Sequence, residues 1–266
     1  MRKSSNERTK GNYRTHLEML MEVLGRTMPV TQILESDIRV FCFRSDLAPA
    51  TQASYLRHLK VFFKWLFENE ILKNDLTRNI KPPRIPQKIA LKTLSRSELD
   101  MIFDSFDKYS KEVIEKRYVT KPEQQRLWFK PMINTIYYCG LRAKEAVNLT
   151  WEDVSLILKS DERDNFGVIR ISNTDENTSK SGKERIIPIR EPLYPWILQW
   201  YKDQGKPSEG YVFPSATGFD KWHKMDTLAL SKSFKKFVKL ADNIPNTITL
   251  HGLRHSCATL EPNLDH

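Results

Sequence analysis

Cysteine is scarce in this 266-residue chain, and its three copies, Cys42, Cys139 and Cys257, are widely scattered. An odd number without CxxC spacing indicates neither a disulfide framework nor a cysteine metal centre. What remains is the use of cysteine as a small buried side chain in a reducing compartment. Long apolar runs are missing as well; none approaches the roughly 18 residues of a spanning helix. Residues 1–10 are polar and charged, without the apolar stretch of a secretory signal. Hydrophobic residues still make up 39% of the chain, enough for a real core. A mean hydropathy of −0.54 argues against a membrane protein. The expected location is therefore the cytoplasm, with no membrane partner.

Acid is in deficit. Thirty-three acidic residues face 43 basic ones, a net charge of +10, and the isoelectric point is near 9.4. That balance favours a polyanionic partner, nucleic acid first. Its placement is informative: Lys81, Arg84, Lys88 and Lys92 occupy a stretch without a single acidic residue. The same stretch holds Pro82, Pro83 and Pro86, which remove backbone donors and restrict the residues before them. It reads as a basic linker over residues 81–93. A domain of residues 1–80 precedes it and a domain of residues 94–266 follows. A linker crossing a phosphate backbone competes here with a merely solvated one.

The first domain reads as helical. Tyr13, Leu17, Leu20, Met21 and Leu24 recur at helical spacing, and Gly25 closes the segment. Ser36 and Asp37 read as the cap of a short helix carrying Ile38, Val40 and Phe41. From Thr51 onward, Tyr55, Leu59, Phe62, Phe63, Leu66 and Phe67 give the strongest amphipathic pattern in the chain. This aromatic stripe reads as core rather than a base-stacking platform. Arg57, Lys60 and Lys64 lie on the opposite face, within reach of one another, as a solvated face or as phosphate contacts.

The second domain is mainly helical with a small antiparallel β-sheet. Ser95 and Glu98 have capping-box spacing. A helix over residues 129–139 ends at Gly140, which suits a left-handed residue. A short helix follows over residues 143–149, and then Trp151, read as core. Residues 168–171 and 185–189 have strand character and are joined as a hairpin through the polar residues 173–182. Helices return over residues 193–201 and 231–241.

Two segments carry chemistry. Gly140-Leu141-Arg142-Ala143-Lys144-Glu145 places an arginine at a helix start, where a salt bridge to Glu145 is the plain alternative. His251-Gly252-Leu253-Arg254-His255 puts an imidazole and a guanidinium three residues apart, on one face of a helix. Arginines, a histidine and a lysine converging on one phosphate make a metal-free phosphoryl-transfer site. His251 and His255 also stand at metal-pair spacing, but no glutamate of an HExxH motif lies between them. A metal-dependent nuclease is therefore the weaker reading, and His255 is expected to pack structurally.

These segments resemble the tyrosine recombinases of the phage-integrase family. Gly140-Leu141-Arg142 with Glu145 is similar to that family's first arginine motif, and residues 251–259 to its second. Ser179-Lys180-Ser181-Gly182-Lys183-Glu184-Arg185 looks like its β-hairpin, whose register favours Lys180 over Lys183 as the catalytic lysine. The helical first domain resembles the family's core-binding, SAM-like domain. The resemblance implies a site-specific recombinase or integrase that cuts and rejoins double-stranded DNA through a 3′-phosphotyrosyl intermediate, with no cofactor. It implies that Arg142 and Arg254 bind the non-bridging phosphate oxygens through paired charge-assisted hydrogen bonds. Lys180 would protonate the departing 5′ oxygen, and His251 would bond the phosphate and assist proton transfer at the nucleophile. Glu145 would position Arg142.

The chain departs from the family pattern after this point. No tyrosine follows Tyr211, and only eleven residues follow His255. The expectation is a form truncated before the nucleophile. Such a form would lack activity of its own, and the family's tetramer on paired sites would be in doubt. A non-catalytic DNA-binding remnant, or a regulator of recombination, is the alternative.

Overall fold

A computed structural model of the chain describes residues 7–86, 93–116, 127–158, 165–172, 184–215 and 223–259. The chain divides into two compact units, Met1–Ile89 and Ala90–His266.

The first unit contains α1 (Glu7–Leu24), α2 (Glu35–Cys42) and α3 (Pro49–Glu68). Its core is built from Leu20, Ile38, Phe41, Leu56, Leu59, Phe63 and Leu66. The aromatic stripe of α3 is therefore core, as its spacing predicts, except that Phe67 is 45% exposed. Met21 of α1 likewise faces solvent. Gly25, with φ +97, ends α1 in a backbone conformation that side chains disfavour. The start of α2 differs from the sequence expectation. Asp37 lies inside the helix and reaches back, its carboxylate accepting the Leu34 N–H at 2.8 Å. Side chains at this third helical position satisfy the first orphan donors as well as a capping residue does, and that moved the boundary.

The second unit has six described helices and one sheet. The helices are α4 (Arg96–Glu115), α5 (Phe129–Cys139), α6 (Ala143–Asn148), α7 (Tyr194–Asp203), α8 (Thr227–Leu240) and α9 (Leu250–Thr259). The sheet is antiparallel in the order β1 (Val154–Leu156), β2 (Gly167–Ile171), β3 (Arg185–Pro188). The hairpin pair is in register Ile169 to Ile187, and β1 adds a third strand beyond the two strand segments delimited in the sequence. Gly167 belongs where β1 passes closest, because a Cβ there would lie 1.9 Å from the Ser155 carbonyl oxygen.

The core of this unit runs through Phe103, Phe129, Ile136, Phe213, Phe234 and Phe237, with Trp151 buried among them. Ser95 caps α4 in the expected box, its hydroxyl accepting from the Glu98 N–H while Glu98 accepts from the Ser95 N–H. Arg96, one residue on, ties α4 to α5 by donating to Asn134 at 3.0 Å and Tyr138 at 2.9 Å. Cys42 and Cys139 are buried and Cys257 is half-buried; burial pushes the Cys42 and Cys139 thiols up to about 12. Among the described residues no helix is long and apolar enough to cross a membrane.

Candidate phosphate site

A glycine turn and two side-chain anchors on α9 bring the two arginine segments together. Gly140 ends α5 in the left-handed region, with φ +59, so the chain turns sharply before Arg142. A Cβ on Gly140 would lie 3.3 Å from the Cys257 sulfur, which sets how closely α9 can approach the end of α5. The Cys257 thiol bonds the Tyr138 carbonyl at 3.3 Å. The next residue back, buried Ser256, accepts the Leu94 N–H at 2.7 Å and donates to Gly252 O at 3.1 Å. Helix α9 is thus fixed to the end of α5 and to the chain entering α4. Leu253 and Ser256 point inward, Arg254 is half-buried and His251 is exposed. The single-face reading of His251 and Arg254 holds.

Glu145 is the centre of the cluster. Its side chain is only 5% exposed, yet it is surrounded by guanidinium groups. Arg142 donates its backbone N–H to Oε2 at 2.7 Å and its Nη1 to Oε1 at 2.7 Å. Arg185, the first residue of β3, forms a fork on the same carboxylate, at 3.1 Å to Oε1 and 2.7 Å to Oε2. Arg254 Nη1 approaches Oε2 only to 3.8 Å, and it is a buried donor without a hydrogen-bond partner. Burial by itself would raise the Glu145 carboxyl. The Arg185 fork and the Arg142 backbone and side chain outweigh it, holding the group down at about 2. Three cations against one anion leave a net positive site. The Arg142–Glu145 salt bridge and the phosphate reading coexist, because Arg142 remains 44% exposed.

His251 sits in the first turn of α9. Burial, then the neighbouring His255, Arg254 and Arg142, lower its pKa from the ordinary histidine value. These surroundings favour the uncharged imidazole over the imidazolium. The His255 ring meets it edge-on, with centroids 4.7 Å apart. His255 is exposed rather than packed inside, contrary to the structural role expected for it. No group of three or more His, Cys, Asp or Glu that could hold a metal occurs among the described residues. Arg142 and His251 open onto a groove of about 610 Å³ floored by Leu141, Ala143, Phe234 and Leu250, with Lys232 and Lys235 of α8 along its side.

The sequence reading missed Arg185, Lys232 and Lys235. For Arg185 a signal existed: it shares a strand face with Ile187, which packs on the core. A charge on the inward face of a strand demands a buried partner. The two lysines are spaced i,i+3 on α8, a weak signal that any solvated helix face also gives. Lys180 and Lys183 lie outside the described residues.

In the first unit, Arg57 and Lys60 of α3 flank a cleft of about 370 Å³ shared with Pro82, Pro83 and Ile85. Lys64 stands one turn further along, 3.7 Å from Glu68. Lys81 and Arg84 are exposed. Lys88 lies outside the described residues.

A helical unit, and a second, mainly helical unit with a small antiparallel sheet, also make up the fold of solved integrases. The chain is similar to a lambda integrase (75–356) dimer bound to a COC′ core site, with a TM-score of 0.70 and 14% identity over 97% of this chain and 81% of that one. It is also similar to XerH recombinase bound to difH substrate, with a TM-score of 0.64 and 19% identity over 94% and 67%. These likenesses show the fold. The Phage integrase family model matches residues 107–260, and the chain belongs to that family, the tyrosine recombinases. Among its relatives is the tyrosine recombinase XerD of Vibrio vulnificus (strain YJ016), 27% identical over 225 residues. That match covers 80% of this chain and 61% of the relative's length. XerD of Vibrio cholerae is 24% identical over 262 residues, 95% of this chain and 76% of the relative.

Proposed function

We propose that this chain binds duplex DNA and holds the scissile phosphate of a metal-free strand-cleavage and rejoining reaction, as a site-specific recombinase or integrase. The observation that carries the reading is the Arg254 guanidinium. It is buried on one side without a hydrogen-bond partner, and it stands beside half-exposed Arg142 and His251. An unsatisfied buried donor costs free energy unless a ligand completes it, and a phosphodiester has the acceptors to do so.

In this reading Arg142 and Arg254 take the non-bridging oxygens, whose charge grows toward the transition state. His251 bonds the phosphate and assists proton transfer at the nucleophile. Lys180, on the segment leading into β3, protonates the leaving 5′ oxygen. The first unit acts as a core-binding domain, with Arg57, Lys60 and Lys64 on one face of α3 and Lys81, Arg84 and Lys88 in the linker meeting phosphates. Structural neighbours solved with DNA, a lambda integrase (residues 75–356) and the Tn1549 transposon integrase, support DNA as the partner. The compartment that fits this partner is the cytoplasm.

The test is duplex affinity against salt. Six to ten phosphate contacts predict a loss of about 10³–10⁵ in affinity between 50 and 200 mM salt. An affinity that stays constant over that range would overturn the reading. Cleavage or binding abolished by a chelator would overturn its metal-free part.

A further inference from the structure

The geometry points to Arg185 as a positioning residue that saturates the Glu145 carboxylate and so keeps Arg254 free to bind phosphate. This rests on the phosphate reading above and adds to it a residue which that reading does not use.

A carboxylate offers about four lone-pair sites. At Glu145 all four are filled by short bonds: two from Arg142, through its backbone N–H and Nη1, and two from the Arg185 fork. Arg254 Nη1 lies 3.8 Å from Oε2 and, among the described residues, has no hydrogen-bond partner. Remove Arg185 and two lone pairs open. Arg254 needs to move only about 1 Å to take one of them at hydrogen-bond distance. It would then be consumed by an internal ion pair instead of facing a ligand. Arg185 can do this because its planar fork matches both carboxylate oxygens at once, which an ammonium cannot. Its place on the inward face of β3, beside Ile187, holds the fork in register with α6. The same bond ties the strand that leaves the Lys180 segment to the arginine pair.

The experiment is a double-mutant comparison on the full chain, reading the salt slope of affinity for a duplex oligonucleotide. In the unaltered background, Arg254→Ala should flatten the slope by about 0.9, one phosphate contact. In an Arg185→Ala background, Arg254→Ala should change nothing, since Arg254 is already captured. Arg185→Lys, which keeps the charge but not the fork, should restore only part of the Arg254 effect, and it serves if the alanine variant fails to fold. An Arg254 effect of full size in both Arg185 backgrounds overturns the proposal while leaving the DNA reading intact. An affinity that does not respond to salt in the unaltered protein overturns the DNA reading. The clamp is then decided by carbon NMR titration of Glu145. Its midpoint near 2 should rise in Arg185→Ala by less than the loss of both bonds demands, because Arg254 replaces one of them. A midpoint unmoved by Arg185→Ala overturns the clamp as well.

Discussion

Both units carry clustered cations, but they hold them in opposite ways. On α3, Arg57 and Lys64 are exposed and Lys60 is half-buried. Among the described residues the ion pair there, Lys64 with Glu68, spans 3.7 Å between side chains 65% and 46% exposed. Around Glu145, Arg142, Arg185 and Arg254 crowd a carboxylate that is 5% exposed, with four bonds of 2.7 to 3.1 Å. Exposed lysines are mobile, strongly hydrated point charges, suited to meeting a phosphate backbone anywhere along its length. Pinned guanidiniums have given up their freedom during folding, so little reorganisation remains when a phosphate arrives. The first arrangement suits non-specific affinity. The second suits one phosphate in one place.

Removing each carboxylate tests this contrast most severely. Glu145→Ala should destabilise the second unit by about 3–5 kcal/mol, because it leaves partly buried charges without their partner. Glu68→Ala should change stability by no more than about 0.5 kcal/mol. Urea unfolding of the two variants decides it. Equal effects would mean that the Glu145 cluster is as loosely held as the α3 face.

Acid titration sharpens the same comparison. With its carboxyl held at about 2 against an ordinary 4.5, Glu145 binds a proton more readily in the unfolded chain than in the folded one. Its stabilising contribution is therefore fully present above pH 4.5 and is lost as pH falls toward 2. The loss is on the order of 3 kcal/mol. Glu145→Gln should remove that window from the stability–pH curve. An unchanged curve between pH 4.5 and 2 in this variant would place the acid sensitivity elsewhere.

The pinned arrangement also depends on how α9 is anchored. Ser256→Ala removes the acceptor of the Leu94 N–H, a buried donor. It should cost about 1–3 kcal/mol, measured by the same unfolding curves, and it should loosen Arg254 without touching it.

Much of this was legible in the sequence where a signal spans enough residues. The helix running to Gly140, the Ser95–Glu98 box and the β2–β3 hairpin follow from cap chemistry and periodicity, and all are in the structure. The meeting of Arg142, His251 and Arg254 was read from their residue types and their resemblance to known motifs. The shorter features were not legible. Strand β1 has three residues, too few for alternation to register. The start of α2 was misplaced because Asp37 serves as well from inside the helix as from its cap. Arg185 was overlooked because its partner lies 40 positions away, and a pairing over that distance is fixed by β2–β3 register and not by local pattern. Lys180, assigned from the same hairpin, falls outside the described residues.

The smallest expected effect bears on the solvated side of the comparison. Lys64→Ala removes an exposed ammonium and its long contact with Glu68. Stability should move by less than about 0.5 kcal/mol, because such pairs gain little over their hydration. The salt slope of duplex affinity should nevertheless fall by about 0.9 if Lys64 meets a phosphate. That combination, an affinity change without a stability change, is what a solvated contact face requires. It is the reverse of the pattern expected at Ser256, where stability falls first. A slope left unchanged by Lys64→Ala would confine the phosphate contacts of α3 to Arg57 and Lys60, the pair that flanks the cleft with Pro82 and Pro83. The loose face would then be narrower than its charge pattern suggests.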